Sequence, residues 1–120
     1  MQRILFVLVL SLIFCCQNTG PDQAVTSVLN NLHLYAAEAR GPEYFDLFAA
    51  DAIFFGTDIG ERWEKNAFQE YGLARFETGK GWTYHMTERN IYFSEDDQTC
   101  WFDELVMNDK YGELLSLIHI

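Results

Sequence analysis

A single histidine, His33, stands in an otherwise apolar and amide-rich stretch of the chain and could do acid/base chemistry. Histidine changes its charge near neutral pH, so it can donate a proton or take one up under physiological conditions. The alternative is a half-buried histidine that only hydrogen-bonds a neighbouring carbonyl. His33 is therefore a candidate catalytic residue with a plain structural alternative.

Two adjacent acids, Asp103 and Glu104, lie inside the apolar run CWFDELVM. If the run is a strand, its side chains alternate between two faces, so each face carries one acid. One of the two acids then faces the interior, where it must be paired or have a raised pKa. Arg89 on the preceding run is the available partner. An inward pair of this kind is either structural or a general base held in a pocket, and the sequence leaves open which acid is inward.

The stretch TDIGERW, residues 57–63, holds a second group of polar side chains. Asp58 could transfer a proton at a pocket mouth, where Arg62 could bind an anionic group of a substrate. The structural interpretation has Asp58 turning the chain by hydrogen bonds to the backbone, Arg62 pairing with an acid and Trp63 packing. We favour the structural interpretation.

Aromatic side chains are frequent enough to line a pocket for a flat apolar ligand, although an aromatic core is the default. The candidates for such a wall are Tyr44, Phe55, Trp82, Tyr84 and Trp101. Arg62 and Arg89 complete the set of ligand-binding candidates. The sequence has no phosphate-binding loop, no Gly-x-Ser-x-Gly motif and no paired Cys or His at metal-ligand spacing, so no cofactor and no metal are implied.

The elements that would position these side chains follow from periodicity and turn signals. The sequence predicts helices over Asp22–Ala39, 42–51 and Lys65–Glu77, and strands over Ala52–Gly56, 82–93 and 99–108. Gly41 is expected to cap the first helix. Helices gathered ahead of an antiparallel sheet predict an α+β domain. Three strands are few for a stable domain, which suggests that strands are missing.

The amino terminus has the pattern of an export signal. Arg3 precedes the apolar run ILFVLVLSLIF, which is well short of the roughly 20 residues that a spanning helix needs. Two cysteines follow directly, and Cys16 resembles the acceptor of a bacterial lipoprotein, although Cys15 stands where a small residue is usual. We expect residues 1–16 to be a signal peptide, residues 17–21 a tether, and the protein to be periplasmic or anchored through a lipid. An ordinary cleaved signal peptide is the alternative.

The chain is acidic, with 18 acidic against 8 basic residues and a formal net charge of −10. Such a surface repels phosphate backbones and anionic lipid headgroups. We therefore expect no nucleic-acid partner and no membrane contact beyond a lipid anchor.

The last six residues, LSLIHI, follow a polar stretch and fit no cap, turn or amphipathic pattern. They are also the literal translation of CTG TCT CTT ATA CAC ATC, which resembles the mosaic end of a transposon used in sequencing libraries. We expect the domain to occupy residues 22–114 and residues 115–120 to be a non-native tail. Resequencing the locus tests this expectation.

The stretches YFDLFAADAIFFGTDIGERWEKNAF, FETGKGW, TERNIYF, CWFDEL and YGE together resemble the SnoaL-like branch of the nuclear transport factor 2-like superfamily. The resemblance runs from Val25 to Glu113. It implies a cone, in which a curved antiparallel sheet wraps a pocket that three N-terminal helices close, with the last two strands missing here. Members of this fold often pair through the outer face of the sheet, so a homodimer is implied as well.

What the resemblance implies for activity is less uniform, because the same cone serves isomerases, cyclases, dehydratases and non-catalytic modules. In the ketosteroid isomerases a tyrosine near the His33 position donates a hydrogen bond to the substrate oxyanion. Their catalytic aspartate corresponds to Gly56, which has no side chain, so Asp58 would have to replace it. The resemblance implies a small, largely apolar ligand and cofactor-free chemistry, or a binding or dimerising module. It leaves open whether the domain is an enzyme.

Overall fold

The structure of the chain is a computed structural model that describes residues 20–56, 58, 60–110 and 112–119, with the backbone alone for residues 113–119. The predicted signal peptide, Cys16 and the first residues of the tether lie outside this part. Within the described residues, no helix combines the length and the apolar character needed to cross a bilayer.

Three helices precede most of the sheet: α1 (Pro21–Ala37), α2 (Gly41–Asp46) and α3 (Lys65–Phe76). Pro21 suits the first turn of α1, because its missing N–H would have no partner there. The chain leaves α1 through Ala39, which has a left-handed φ of 55°. Gly41 was predicted to cap α1 but instead begins α2, so that assignment was wrong.

The strands form two antiparallel sheets. One is a hairpin of β1 (Ile53–Phe55) and β2 (Arg62–Glu64), and the other has the order β3–β4–β5. Its members are β3 (His85–Phe93), β4 (Cys100–Asn108) and β5 (Gly112–His119). The sequence predicted neither β2 nor β5. β5 follows Asn108 as one more strand, whose backbone pairs with β4 from Gly112 to His119.

One face of β4 is turned to the interior. Phe102, Glu104 and Val106 are buried, whereas Trp101 and Met107 on the other face are exposed. β3 pairs with β4 so that Arg89 stands opposite Glu104. The α+β prediction is confirmed, and the inner face of its main sheet places a charged pair in an apolar row.

A cluster of aromatic rings joins α2, α3 and the segment before β3. The rings of Phe76 and Trp82 lie 4.7 Å apart, and those of Phe68 and Trp82 are stacked at 5.9 Å. Phe45 on α2 belongs to the same cluster. Its ring can approach α3 closely because residue 72 is a glycine, and a Cβ there would lie 2.6 Å from the ring. The described parts of these helices therefore pack against one another through aromatic rings.

Candidate functional site

Helix α1 and strand β4 bring a histidine and an acid together. Nε2 of His33 lies 2.6 Å from Oε2 of Glu104. Glu104 is 1% exposed, whereas the side chain of His33 keeps 21% of its surface exposed. The acid is thus sealed inside, and the histidine ring reaches from it toward the edge of the interior.

Arg89 on β3 also binds Glu104, and we call His33, Glu104 and Arg89 the His33 cluster. Its Nε donates to Oε1 of Glu104 at 2.5 Å, and its side chain is only 7% exposed. Its Nη1 donates to Oδ1 of Asn30 at 2.8 Å and lies 3.5 Å from the carbonyl oxygen of Thr26, both on α1. A buried carboxylate is costly unless it is paired and hydrogen-bonded, and here each of its oxygens has a donor.

Burial by itself would raise the pKa of Glu104. The hydrogen bonds and charges of His33 and Arg89 outweigh burial and hold that pKa below its ordinary value. Glu104 is therefore ionised at neutral pH. It cannot act as a general acid there, but it can orient a neighbouring base.

The protonation of Glu104 decides the tautomer of His33. An ionised carboxylate only accepts hydrogen bonds, so the 2.6 Å contact requires the proton of the imidazole on Nε2. In the neutral form of the ring, the other nitrogen, Nδ1, then carries the lone pair. A histidine whose second nitrogen is held by a carboxylate is the usual arrangement of an oriented general base.

Asp103 lies on the opposite face of β4, away from His33. Its Oδ1 accepts a hydrogen bond from Nδ2 of Asn90 at 3.0 Å, and its negative charge raises the pKa of Tyr92. Of the two acids between which the sequence left the choice open, Glu104 is the inward one. Asp103 does not join His33, so the structure separates these two catalytic candidates.

Asp58 and Arg62 occupy an exposed corner. Oδ1 of Asp58 accepts a hydrogen bond from the backbone N–H of Gly60 at 2.8 Å, which closes a turn. The guanidinium of Arg62 lies over the ring of Phe55 at 6.0 Å, and no ion pair among the described residues includes it. Trp63 packs against Tyr71, with ring centroids 5.9 Å apart. Except for the expected acid partner of Arg62, this geometry agrees with the structural interpretation.

The predicted aromatic wall does not form as one surface. Tyr44 and Trp82 belong to the ring cluster of the helices, 6.0 Å apart, and Tyr84 is half-buried. Phe55 is 76% exposed, and Trp101 is 40% exposed on the outer face. These side chains therefore have different surroundings. The sequence could not show this, because period-two and helical patterns do not reveal which elements meet.

The described part of the chain has shallow hollows on its surface, of which two are large enough to mention. One of about 250 Å³ lies where the start of α3 meets β1, lined by Ile53, Glu64 and Lys65 among others. The other, of about 280 Å³, lies between Pro42, Leu73 and Phe76. Neither is lined by the His33 cluster. The described residues also contain no group of His, Cys, Asp and Glu that could hold a metal ion.

Asn30 is the site residue that was missed. It precedes His33 by three residues and follows Thr26 by four, so all three lie on one face of α1. That polar spacing was visible in the sequence. Asn30 could have been paired with Arg89 only if the position of α1 on the inner face of the sheet had been known.

The comparisons with known proteins bear on the family and the fold of the chain. The family model described as "SnoaL-like domain" matches residues 25–117, which is most of the chain. The chain belongs to the SnoaL-like domain family. The resemblance stated from the sequence is thereby confirmed, and the match contains the whole His33 cluster of this SnoaL-like domain.

One solved structure supports the fold of the SnoaL-like domain. It is a protein of Xanthomonas campestris described as a calcium/calmodulin dependent protein kinase II association domain, with a TM-score of 0.51 and 13% identity. The similarity covers 78% of this chain and 68% of the other. At this identity the likeness bears on the fold alone. The comparison with curated proteins found no match to this chain.

Proposed function

We propose that this SnoaL-like domain binds a small, largely apolar molecule beside His33 and moves a proton with Nδ1 of that residue, without a cofactor. The observation that carries the proposal is the 2.6 Å contact between Nε2 of His33 and Oε2 of Glu104. Family membership supports ligand binding or isomerase and cyclase chemistry in general. The ligand itself is part of the proposal.

The chemistry follows from the charges of the cluster. As Nδ1 takes a proton from the ligand, the imidazole becomes positive, and the ionised Glu104 stabilises that charge. Arg89 keeps Glu104 ionised throughout. The partly exposed His33 contacts Glu104 on the inner face of β4, where the buried Phe102 and Val106 flank that acid. We propose that the ligand has a flat apolar body and an acidic C–H bond.

The test uses 5-nitrobenzisoxazole, a flat probe of base catalysis. A base removes its ring C–H proton, the N–O bond breaks, and a coloured cyanophenolate forms without any co-reactant. We expect the wild-type chain to accelerate this reaction and His33→Gln to lose the acceleration, because a positioned base contributes about 10²–10⁴-fold. The control is His85→Gln, at an exposed histidine on β3. Equal rates for the two variants would overturn the proposal.

A second candidate function is pairing through the outer face of the main sheet. Tyr92 and Trp101 are 45% and 40% exposed there, with their rings stacked at 6.1 Å. Interfaces are enriched in exposed aromatics of this type. Sedimentation of the wild type and of Tyr92→Ser tests it. A concentration-dependent dimer that the substitution weakens supports pairing, and a monomer at all concentrations contradicts it.

We also propose that the domain acts outside the cytoplasm, tethered through Cys16. The short apolar run directly before two cysteines supports this. Labelling cells with a fatty acid tests it: label on the wild type, and none on Cys16→Ser or in the presence of globomycin, is the expected result. An unlabelled wild type contradicts the lipid anchor.

A further inference from the structure

Arg89 has one donor nitrogen without a hydrogen-bond partner among the described residues. Among the described side chains, Nη2 of Arg89 is buried without a hydrogen-bond partner, although Nε and Nη1 are both engaged. Leaving a buried charged donor unpaired is unfavourable, so some other contact must keep the guanidinium in this orientation.

The unsatisfied donor arises from the way in which Glu104 divides its oxygens. An arginine and a carboxylate often pair through two parallel bonds, with Nε and the Nη on the same edge of the guanidinium, which is Nη2. Here Arg89 donates to Glu104 only through Nε, on Oε1, while Oε2 is in contact with His33. A second bond from Nη2 would bring Arg89 to the oxygen that His33 uses, so Arg89 and His33 are alternative donors to Oε2.

Asn30 binds the guanidinium of Arg89 on the side away from Glu104 and so affects which donor reaches Oε2. Its Oδ1 accepts Nη1 of Arg89 at 2.8 Å, and the carbonyl of Thr26 lies 3.5 Å from the same nitrogen. These contacts hold the guanidinium against α1. They oppose the rotation of the side chain that would bring Nη2 to Glu104. Asn30 and His33 are only three residues apart on α1, so the same helix holds both ends of the network.

We propose that Asn30 is a positioning residue: by holding Nη1 of Arg89, it reserves Oε2 of Glu104 for His33. Without the amide of Asn30, the guanidinium of Arg89 turns and binds Glu104 through both Nε and Nη2. His33 then loses the acceptor that fixes its proton on Nε2. The consequence for catalysis rests on the proposed function, whereas the consequence for the tautomer of His33 does not.

Imidazole ¹⁵N chemical shifts of the full chain distinguish the two tautomers of His33 directly. We expect the Nε2–H form in the wild type and loss of that preference in Asn30→Ala. Asn30→Asp keeps an acceptor for Nη1 and should retain the wild-type shifts. Asn31→Ala, one position along the helix and outside the network, is the matched control and should retain them too. Wild-type shifts in Asn30→Ala would overturn the inference.

The rate with 5-nitrobenzisoxazole separates this inference from the proposed function. If the tautomer changes in Asn30→Ala but His33→Gln leaves the rate unaltered, the positioning role stands and the catalytic role fails. If His33→Gln abolishes the rate and Asn30→Ala changes neither the rate nor the shifts, the catalytic role stands and Asn30 has no part in it.

Discussion

Nε2 of His33 and Oε2 of Glu104 lie 2.6 Å apart, although the residues are 71 positions apart in the chain. The contact ties the first helix to the central strand of the main sheet. Since Glu104 is also bound by Arg89, the three side chains form one electrostatic unit, and a change in any of them should be felt by the others.

Removing the carboxylate of Glu104 should destabilise the fold strongly. Glu104→Ala leaves the guanidinium of Arg89 buried without its counter-charge, which typically costs about 3–5 kcal/mol in the free energy of unfolding. Urea denaturation measures the loss. Glu95→Ala, at an exposed loop position, should change stability by no more than about 0.5 kcal/mol. Similar losses for both variants would contradict the structural weight given to Glu104.

The stability of the chain should fall in acid through Glu104. Its pKa in the folded state lies below the ordinary value of 4.5. Well above that value the carboxylate is ionised in both states and its contacts contribute in full. As the pH falls below 4.5, the unfolded chain takes up the proton first, so the free energy of unfolding decreases until the folded carboxyl is protonated as well.

Denaturation at a series of pH values from neutral to acid, on the wild type and on Glu104→Gln, isolates this contribution. The amide does not titrate, so the variant should lose less stability than the wild type over the acid range. Parallel curves for the two proteins would show that Glu104 is not the group responsible.

Tyr44 should titrate late. Burial, with a smaller contribution from Tyr84, raises its pKa from 10 to about 12. The unfolded chain loses the phenolic proton first as the pH rises, so the stabilising contribution of Tyr44 is complete below pH 10 and is lost toward 12. Comparing tyrosinate absorbance of the wild type with Tyr44→Phe measures it. A difference curve with its midpoint near 10 would contradict the burial of this phenol.

Ala39→Gly should stabilise the protein. Ala39 has a φ of 55°, and a left-handed conformation costs a residue with a Cβ roughly 1 kcal/mol that glycine does not lose. The thermal midpoint should therefore rise. Ala37→Gly, within the last turn of α1, is the control of opposite sign, because glycine in a helix costs about 0.5–1 kcal/mol. A lower midpoint for Ala39→Gly would show that the chain does not leave α1 in this way.

The sequence was sufficient to predict the three helices and the strands β1, β3 and β4. The helical spacing of Val25, Leu29 and Ala36 predicted α1, and alternation in CWFDELVM predicted β4. The short strand β2 was missed because three residues show no reliable period. β5 was not predicted because most of it lies in residues 115–120, which were expected to be a non-native tail.

The candidate site was only partly accessible from the sequence. His33, Arg89 and Glu104 were all named, but a period of two cannot tell which of Asp103 and Glu104 faces inward. That choice depends on where α1 lies, which is a property of the tertiary fold. Asn30 was missed for the same reason, since its bond to Arg89 joins residues 59 positions apart.

The central claim, that His33 and Glu104 act as one unit, is tested most directly by a double-mutant cycle on the 5-nitrobenzisoxazole rate. His33→Gln, Glu104→Gln and the double variant are compared with the wild type, each first shown to be folded by circular dichroism. We predict that the double variant is no slower than His33→Gln, because Glu104 acts only through the histidine. Losses that simply multiply would contradict the account.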